Sequence, residues 1–341
     1  MPRDPSADPA PAPADPAAAA PAAAGERSLG PGGPVVSRLG LGLAALGRPA
    51  YITGGRAGDL PDRSVAALRA RTLAVLDAAW AAGIRYADAA RSYGRAEEFL
   101  ADWLARPGHS AMVAGSKWGY RYTGGWRLDT GQHEVKEHSL AAFTAQLAQT
   151  RALLGDRLAL YQVHSLTPDS PLLGDPGLLA ALGDLRDSGV RLGVTTSGPH
   201  QAEVLRRALA ASAGGRPLFS VAQVTWNVLE PSVGPAAAEA AAAGWAVLVK
   251  EALANGRLAP GAPSARPLAA LAAGRGVGED ALALAAALAN PWATVVLSGA
   301  VSVAQLHANL AALTVGDVAW PAGLAEPPAS YWATRAARPW Q

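Results

Sequence analysis

Gly83-Ile84-Arg85-Tyr86-Ala87-Asp88, running on into Ala89-Ala90-Arg91-Ser92-Tyr93-Gly94, is a short β-rich segment that ends in an acid and opens into a glycine-containing turn. An Ala/Leu-rich stretch at 94–105 then has helical spacing. The unit is therefore strand, polar loop, helix, with Asp88 at the strand end and Tyr93 in the loop.

Working outward, the same unit recurs. Strands are expected at 39–44, 84–88, 112–117, 158–163, 191–195, 221–224, 246–250 and 294–297. Helices are expected at 64–82, 94–105, 138–154, 176–188, 200–212, 235–243, 279–290 and 302–313. Eight and eight in alternation predicts an α/β fold, a (β/α)8 TIM barrel, with its chemistry on the loops after the strands. A doubly wound nucleotide fold is the rival, but Gly40-Leu41-Gly42 and Gly274–Gly278 lack the spacing and context of a strand-to-helix GxGxxG. Ser64 and Ser302 are placed to cap helices, Gly83 and Gly189 to end them, and Asn290-Pro291 to stop the chain before the last strand. Residues 27–37, with Pro31-Gly32-Gly33-Pro34 at their centre, read as an N-terminal β-hairpin over the amino-terminal end of the barrel. Connections 45–63, 118–137 and 251–278 read as long irregular loops.

Of the first 25 residues, 18 are Ala or Pro. Residues 1–26 are expected to be a disordered tail without a signal peptide or membrane anchor. Residues 320–341, rich in Pro, Ala, Arg and Trp, read as the C-terminal extension of a single barrel domain spanning 27–341, with Trp332 and Trp340 packed on its mouth or an outer helix. Net charge is +2 with no basic block, which argues against a nucleic-acid partner. No stretch is apolar and long enough for a membrane partner. The absence of cysteine excludes thiolate chemistry and fits a cytoplasmic protein.

Four residues stand at or just past successive strand ends: Asp88, Tyr93, Lys117 and His164. A phenol is a poor acid at neutral pH. An ammonium beside it is expected to lower its pKa, and a carboxylate to hold the ammonium. An imidazole beside the phenol orients a carbonyl oxygen. The set suits proton transfer to a carbonyl, and the carbon must then receive a hydride from elsewhere. Two alternatives come from the same residues. His133-Glu134-Val135-Lys136-Glu137-His138 holds metal-ligating side chains, although it reads as the start of an amphipathic helix, and no metal is assigned to it. Asp88 with Glu251 is a carboxylate pair of the glycosidase type.

Gly83–Gly94 with Ser116-Lys117 and Tyr161-Gln162-Val163-His164-Ser165 resembles the aspartate–tyrosine, lysine and histidine motifs of the aldo-keto reductase family, over about 35–315. The resemblance implies an NAD(P)H-dependent oxidoreductase reducing an aldehyde or ketone. Tyr93 would be the general acid, Lys117 and Asp88 would tune it, and His164 would orient the substrate. It implies NADP(H), with NAD(H) a close alternative, bound over the barrel mouth. Thr195 and Thr196 stand where the family has Ser-Asn for the carboxamide, Gln223 matches a glutamine reading the same group, and Trp226 takes a nicotinamide-stacking position. Glu251 and Leu253 lie in the diphosphate loop, and Ser298, Gly299, Gln305 and Asn309 on the adenosine side. Glu251 replaces a serine, so an anion faces the diphosphate unless Lys250 or Arg257 offsets it. That substitution keeps open a second reading, a non-catalytic nucleotide-binding barrel acting as a sensor or partner subunit. Tyr51, Trp118, Tyr120, Tyr122 and Trp126 are the expected substrate-lining aromatics.

Overall fold

Eight parallel strands close into a barrel in the computed structural model, which describes residues 25–53, 56–316, 318 and 320–341. They are β1 (Leu39–Gly42), β2 (Tyr86–Asp88), β3 (Val113–Trp118), β4 (Leu158–Leu166), β5 (Arg191–Thr196), β6 (Val221–Thr225), β7 (Ala246–Lys250) and β8 (Val295–Ser298). Neighbours in space are neighbours in sequence, and β8 pairs with β1 to close the ring. The helices between them are α1 (Val65–Ala81), α2 (Ala96–Leu104), α3 (Leu140–Leu154), α4 (Pro176–Asp187), α5 (Gln201–Leu209), α6 (Gly234–Ala242), α7 (Glu279–Leu288) and α8 (Val303–Leu310). This is the (β/α)8 barrel expected from the repeat. Ser64 and Ser302 cap α1 and α8 by accepting from the N–H groups of Ala67 and Gln305, both at 3.2 Å.

Period-two alternation sorts each strand into an outer and an inner face. Outward side chains such as Leu41, Ala87, Ala114, Leu192, Val194, Ala222, Val224, Val247 and Val296 join the apolar layer under the helices. Inward ones, namely Tyr86, Val113, Leu160, Val221, Leu248 and Val295, form a separate cluster at the amino-terminal end of the barrel. Higher along the same inward rows stand Asp88, Lys117, Gln162, His164, Gln223 and Lys250. One alternation thus builds an apolar floor and a polar upper storey.

The hairpin pairs Glu26–Ser28 with Val35–Ser37. Its Leu29 and Val36 are fully buried in the floor cluster, so the hairpin plugs the barrel's lower end as expected. Residues 1–24, which carry nearly all of the expected tail, lie outside the described residues.

The three long connections are more ordered than expected. Connection 45–63 holds a helical turn, Arg56–Asp59. Connection 118–137 holds an antiparallel pair, Tyr120–Tyr122 with Glu134–Lys136, so the middle of the His133–His138 segment is strand, and α3 starts only at Leu140. Connection 251–278 holds the helix Arg266–Arg275, with Pro267 in its first turn and the left-handed Gly276 ending it. Those two residues are a start and stop signal visible in the sequence. A C-terminal helix, Pro328–Ala336, crosses the barrel mouth, and Gln341 exchanges two backbone hydrogen bonds with Tyr51, at 2.9 and 3.0 Å. Trp332 is buried, and Trp340 stacks on His133.

Candidate active site

Asp88 is the inward residue at the end of β2, almost completely buried. Its Oδ1 accepts from Gln223 Nε2 (3.0 Å), Tyr86 OH (3.2 Å) and Gln162 Nε2 (3.3 Å). Its Oδ2 accepts from the Lys117 ammonium. Four donors surround the carboxylate, three on one oxygen and the ammonium on the other, so this buried charge is paired and solvated by the protein. Room for the Tyr86 hydroxyl comes from Gly115 on β3, where a Cβ would lie 2.3 Å from it.

Lys117 is fully buried. Besides Asp88 it donates to the Ala89 carbonyl at 2.9 Å and to the Tyr93 hydroxyl oxygen at 3.2 Å. Its ammonium therefore bridges carboxylate and phenol. His164 meets the Tyr93 ring edge-on, with centroids 5.5 Å apart, and its Nδ1 lies 3.4 Å from Ser92 Oγ. All four residues expected to act together do meet.

Tyr93 is fixed by glycines. A Cβ on Gly47 would lie 2.2 Å from the Tyr93 carbonyl oxygen, and a Cβ on Gly94, whose φ is +61°, would lie 2.4 Å from the Gly47 carbonyl. The turns after β1 and β2 touch backbone to backbone there, and Arg95 N–H donates to Gly47 O at 2.7 Å. Arg48 lies across the Tyr93 and Tyr51 rings, 5.0 Å from each centroid, and pairs with Glu134 at 2.8 Å.

One expectation is reversed. Burial, with the Asp88 charge second, pushes the Tyr93 phenol well above its ordinary pKa, where a lowered value was expected from Lys117. Desolvation wins because the phenol lies among groups that shed water to fold. Tyr93 is thereby held as a neutral O–H. His164 is held well below its usual pKa, first by burial and then by Lys117, Arg48 and Lys250, so its imidazole is neutral at pH 7.

A cavity of about 670 Å³ opens above this group. Its wall includes Tyr93, His164, Asp88, Gln223 and Lys250, with Glu251 and Leu253 after β7, Ser298 and Gly299 at the end of β8, and Gln305 and Asn309 on α8. Asn309 Nδ2 donates to Ser298 Oγ at 2.9 Å, and Gln305 Oε1 accepts from Val301 N–H at 2.9 Å. Space at Gly299 is open. The cavity is thus continuous from the proton donor to the expected adenosine side, and its donor set fits an elongated nucleotide.

Three residues expected at the cofactor lie outside that wall. Thr195 is buried with its hydroxyl accepting from Ser165 N–H at 2.7 Å, and Thr196 faces Gln201 at 3.4 Å. Trp226 packs edge-on to Trp292. Among the expected aromatics, Tyr51 lines the cavity, and Tyr120 meets His164 edge-on at 5.0 Å. Trp118 is fully buried against Phe143, Tyr122 accepts from Trp126 N–H at 3.1 Å, and Trp126 Nε1 donates to Arg63 O at 2.9 Å. His138 spends both ring nitrogens on Ser170 Oγ and His164 O.

Glu251 follows β7 with a left-handed φ of 57°, a conformation uncommon outside glycine. Its cation is Arg335 of the C-terminal helix, which donates to both carboxylate oxygens at 2.5 to 3.1 Å. Arg335 and then Lys250 overcome the effect of burial and hold its pKa at about 2. Arg257, named as a compensator from sequence, pairs instead with Glu326. Arg48, Gln162, Tyr86 and Arg335 were missed. Tyr86 and Gln162 precede Asp88 and His164 by two positions, so strand period alone assigns them to the same inner face.

Residues 38–317 match the family model described as Aldo/keto reductase family. A putative aldo-keto reductase from Pseudomonas aeruginosa, PA4992, superposes with a TM-score of 0.62 at 25% identity, covering 86% of this chain and 95% of that one. The holo form of the aldo-keto reductase AKR11C1 from Bacillus halodurans superposes with a TM-score of 0.63 at 21% identity, covering 91% and 95%. The search of curated proteins found no match. The Asp–Tyr–Lys–His cluster at the head of a closed (β/α)8 barrel, and a family match over most of its length, lead to one conclusion: the chain belongs to the aldo-keto reductase family, a family of oxidoreductases that use nicotinamide nucleotides.

Proposed function

We propose that this protein reduces a small aldehyde or ketone to an alcohol, with Tyr93 as general acid and NADP(H) favoured over NAD(H). The observation that carries the reading is the Lys117 ammonium bonded to both Asp88 and Tyr93 at the base of an open cavity. Tyr93 is kept protonated by burial, which is the form that donates a proton to a carbonyl oxygen as negative charge develops there. As the proton leaves, the phenolate is met by the adjacent ammonium, whose own charge is anchored by Asp88. A neutral His164 beside Tyr93 orients the same oxygen without competing for the proton.

Leu253, Ser298, Gly299, Gln305 and Asn309 would hold the nucleotide along the cavity, and Gln223 would stand between it and Asp88. When bound, the reduced nicotinamide supplies the hydride to the carbonyl carbon. The Glu251 carboxylate is neutralised by Arg335, which removes the anion that favoured a non-catalytic nucleotide-binding barrel. No described helix is long and apolar enough to cross a membrane. A cytoplasmic location and small-molecule partners accompany the proposal.

Titrating the protein with NADPH and with NADH while following cofactor fluorescence, then following cofactor absorbance with a panel of aldehydes and ketones, tests the reading. Binding followed by oxidation of the cofactor supports it. Binding without turnover would favour the sensor reading, and binding of neither nucleotide would sink both.

A further inference from the structure

Lys250 ends β7 as its inward-facing residue and lines the cavity with Tyr93 and His164. It is half-buried. Its Nζ donates to the Thr225 hydroxyl at 2.5 Å. Among the described residues, no carboxylate lies within ion-pairing distance of it. The other wall cations are held differently: Arg48 pairs with Glu134 and Arg335 with Glu251, while Arg338 donates to the backbone carbonyls of Ile52 and Asn255. Lys117, beneath the wall, pairs with Asp88.

We propose that Lys250 is the anchor for an anionic group of the substrate, and that the protein takes small carbonyl compounds bearing a carboxylate. This rests on the carbonyl-reduction reading of the same cavity. A half-buried ammonium whose observed partner is a neutral hydroxyl has lost water without gaining a counter-charge, and an entering carboxylate supplies one. The surroundings support the same sign. Burial, with Arg335 and Lys117 against Glu251 and Asp88, pulls the Lys250 pKa down to about 8, so the ammonium still predominates at pH 7. Placement decides the polarity of the substrate: the carbonyl goes to Tyr93 and His164, and the anion goes to the β6–β7 side, where Thr225 holds the amine in place.

The test uses the full-length protein with 4-carboxybenzaldehyde and 4-methylbenzaldehyde, which share a shape and differ in charge. Calorimetric Kd values are compared for wild type, Lys250→Met, Lys250→Gln and Lys250→Arg. A charge-assisted hydrogen bond is consistent with wild type binding the acid at least tenfold tighter than the neutral aldehyde. The ratio should fall to near one in the Met and Gln variants and largely survive in the Arg variant. Equal wild-type affinities, or a preference that persists in both neutral variants, would overturn the anchor. So would a more than tenfold loss of NADPH affinity in the Met variant with the acid preference intact, which would give Lys250 to the nucleotide's phosphates. Turnover separates the two claims. Preferred binding of the acid without reduction keeps the anchor and defeats the reductase reading, while reduction of both aldehydes without preference does the reverse.

Discussion

Arg335 grips both carboxylate oxygens of Glu251, joining the C-terminal helix to the first residue after β7 across 84 positions of sequence. Glu251 is nearly buried and left-handed, and its charge is met by a partner on the helix that packs over the mouth. Removing the cation leaves a desolvated carboxylate with Lys250 and the Asn255 side chain as its remaining favourable neighbours. Arg335→Met should destabilise the fold by roughly 1–3 kcal/mol, below the roughly 3–5 kcal/mol of a fully buried pair because Arg335 is a quarter exposed. In urea denaturation, Glu251→Gln combined with Arg335→Met should cost less than the sum of the single changes. Strict additivity would mean the pair is not coupled.

The same pair fixes the sign of an acid effect. Glu251 has its pKa lowered to about 2 from an ordinary 4.5. A depressed carboxylate contributes its stability in full above the unfolded value and loses it as pH falls through the folded one. Stability should therefore decline between about pH 4.5 and pH 2 by more in wild type than in Glu251→Gln, as followed by thermal melting. Parallel curves would contradict the assignment.

At the opposite end of the barrel, Leu29 of the hairpin is fully buried among Tyr86, Val113, Leu160 and Val295. Leu29→Ala should cost about 2–5 kcal/mol in chemical denaturation. Cofactor affinity should change little, since the plug and the cavity occupy opposite ends of the strands. A loss under about 1 kcal/mol would show that the hairpin does not seal the floor.

Gly47→Ala is a sharper probe of how Tyr93 is positioned. The added methyl would meet Tyr93 O at 2.2 Å and Ala96 N at 2.7 Å, and neither is a flexible side-chain end. The two turns must part, costing roughly 1–3 kcal/mol and moving the phenol. A displacement near 1 Å is worth about a hundredfold in rate. Turnover at saturating cofactor should fall accordingly, and an unchanged kcat would mean the loop tolerates the methyl.

Much of this was legible from strand ends. Asp88, Lys117 and His164 are inward residues at the tops of their strands, so position and chemistry pointed the same way. Gln162 and Tyr86 lie on the same inward period, but as uncharged residues inside apolar strands they carry no signal that separates them from packing. Arg335 was not legible: its pairing depends on how a C-terminal helix lies over the mouth, which no local pattern encodes. The direction of the Tyr93 pKa also needed the fold. Sequence supplies the neighbouring ammonium, whereas desolvation depends on how completely the ring is enclosed. Connection 251–278 hid a helix because its Ala, Gly and Pro content reads as loop until Pro267 and Gly276 are taken as its two ends.

The central claim is that Tyr93 delivers the proton. With a carbonyl substrate and saturating NADPH, Tyr93→Phe should lower kcat roughly a hundred- to ten-thousand-fold while the NADPH Kd from fluorescence titration stays within about twofold, because the ring and its contact with His164 remain. A phenylalanine variant that turns over near the wild-type rate would contradict the account.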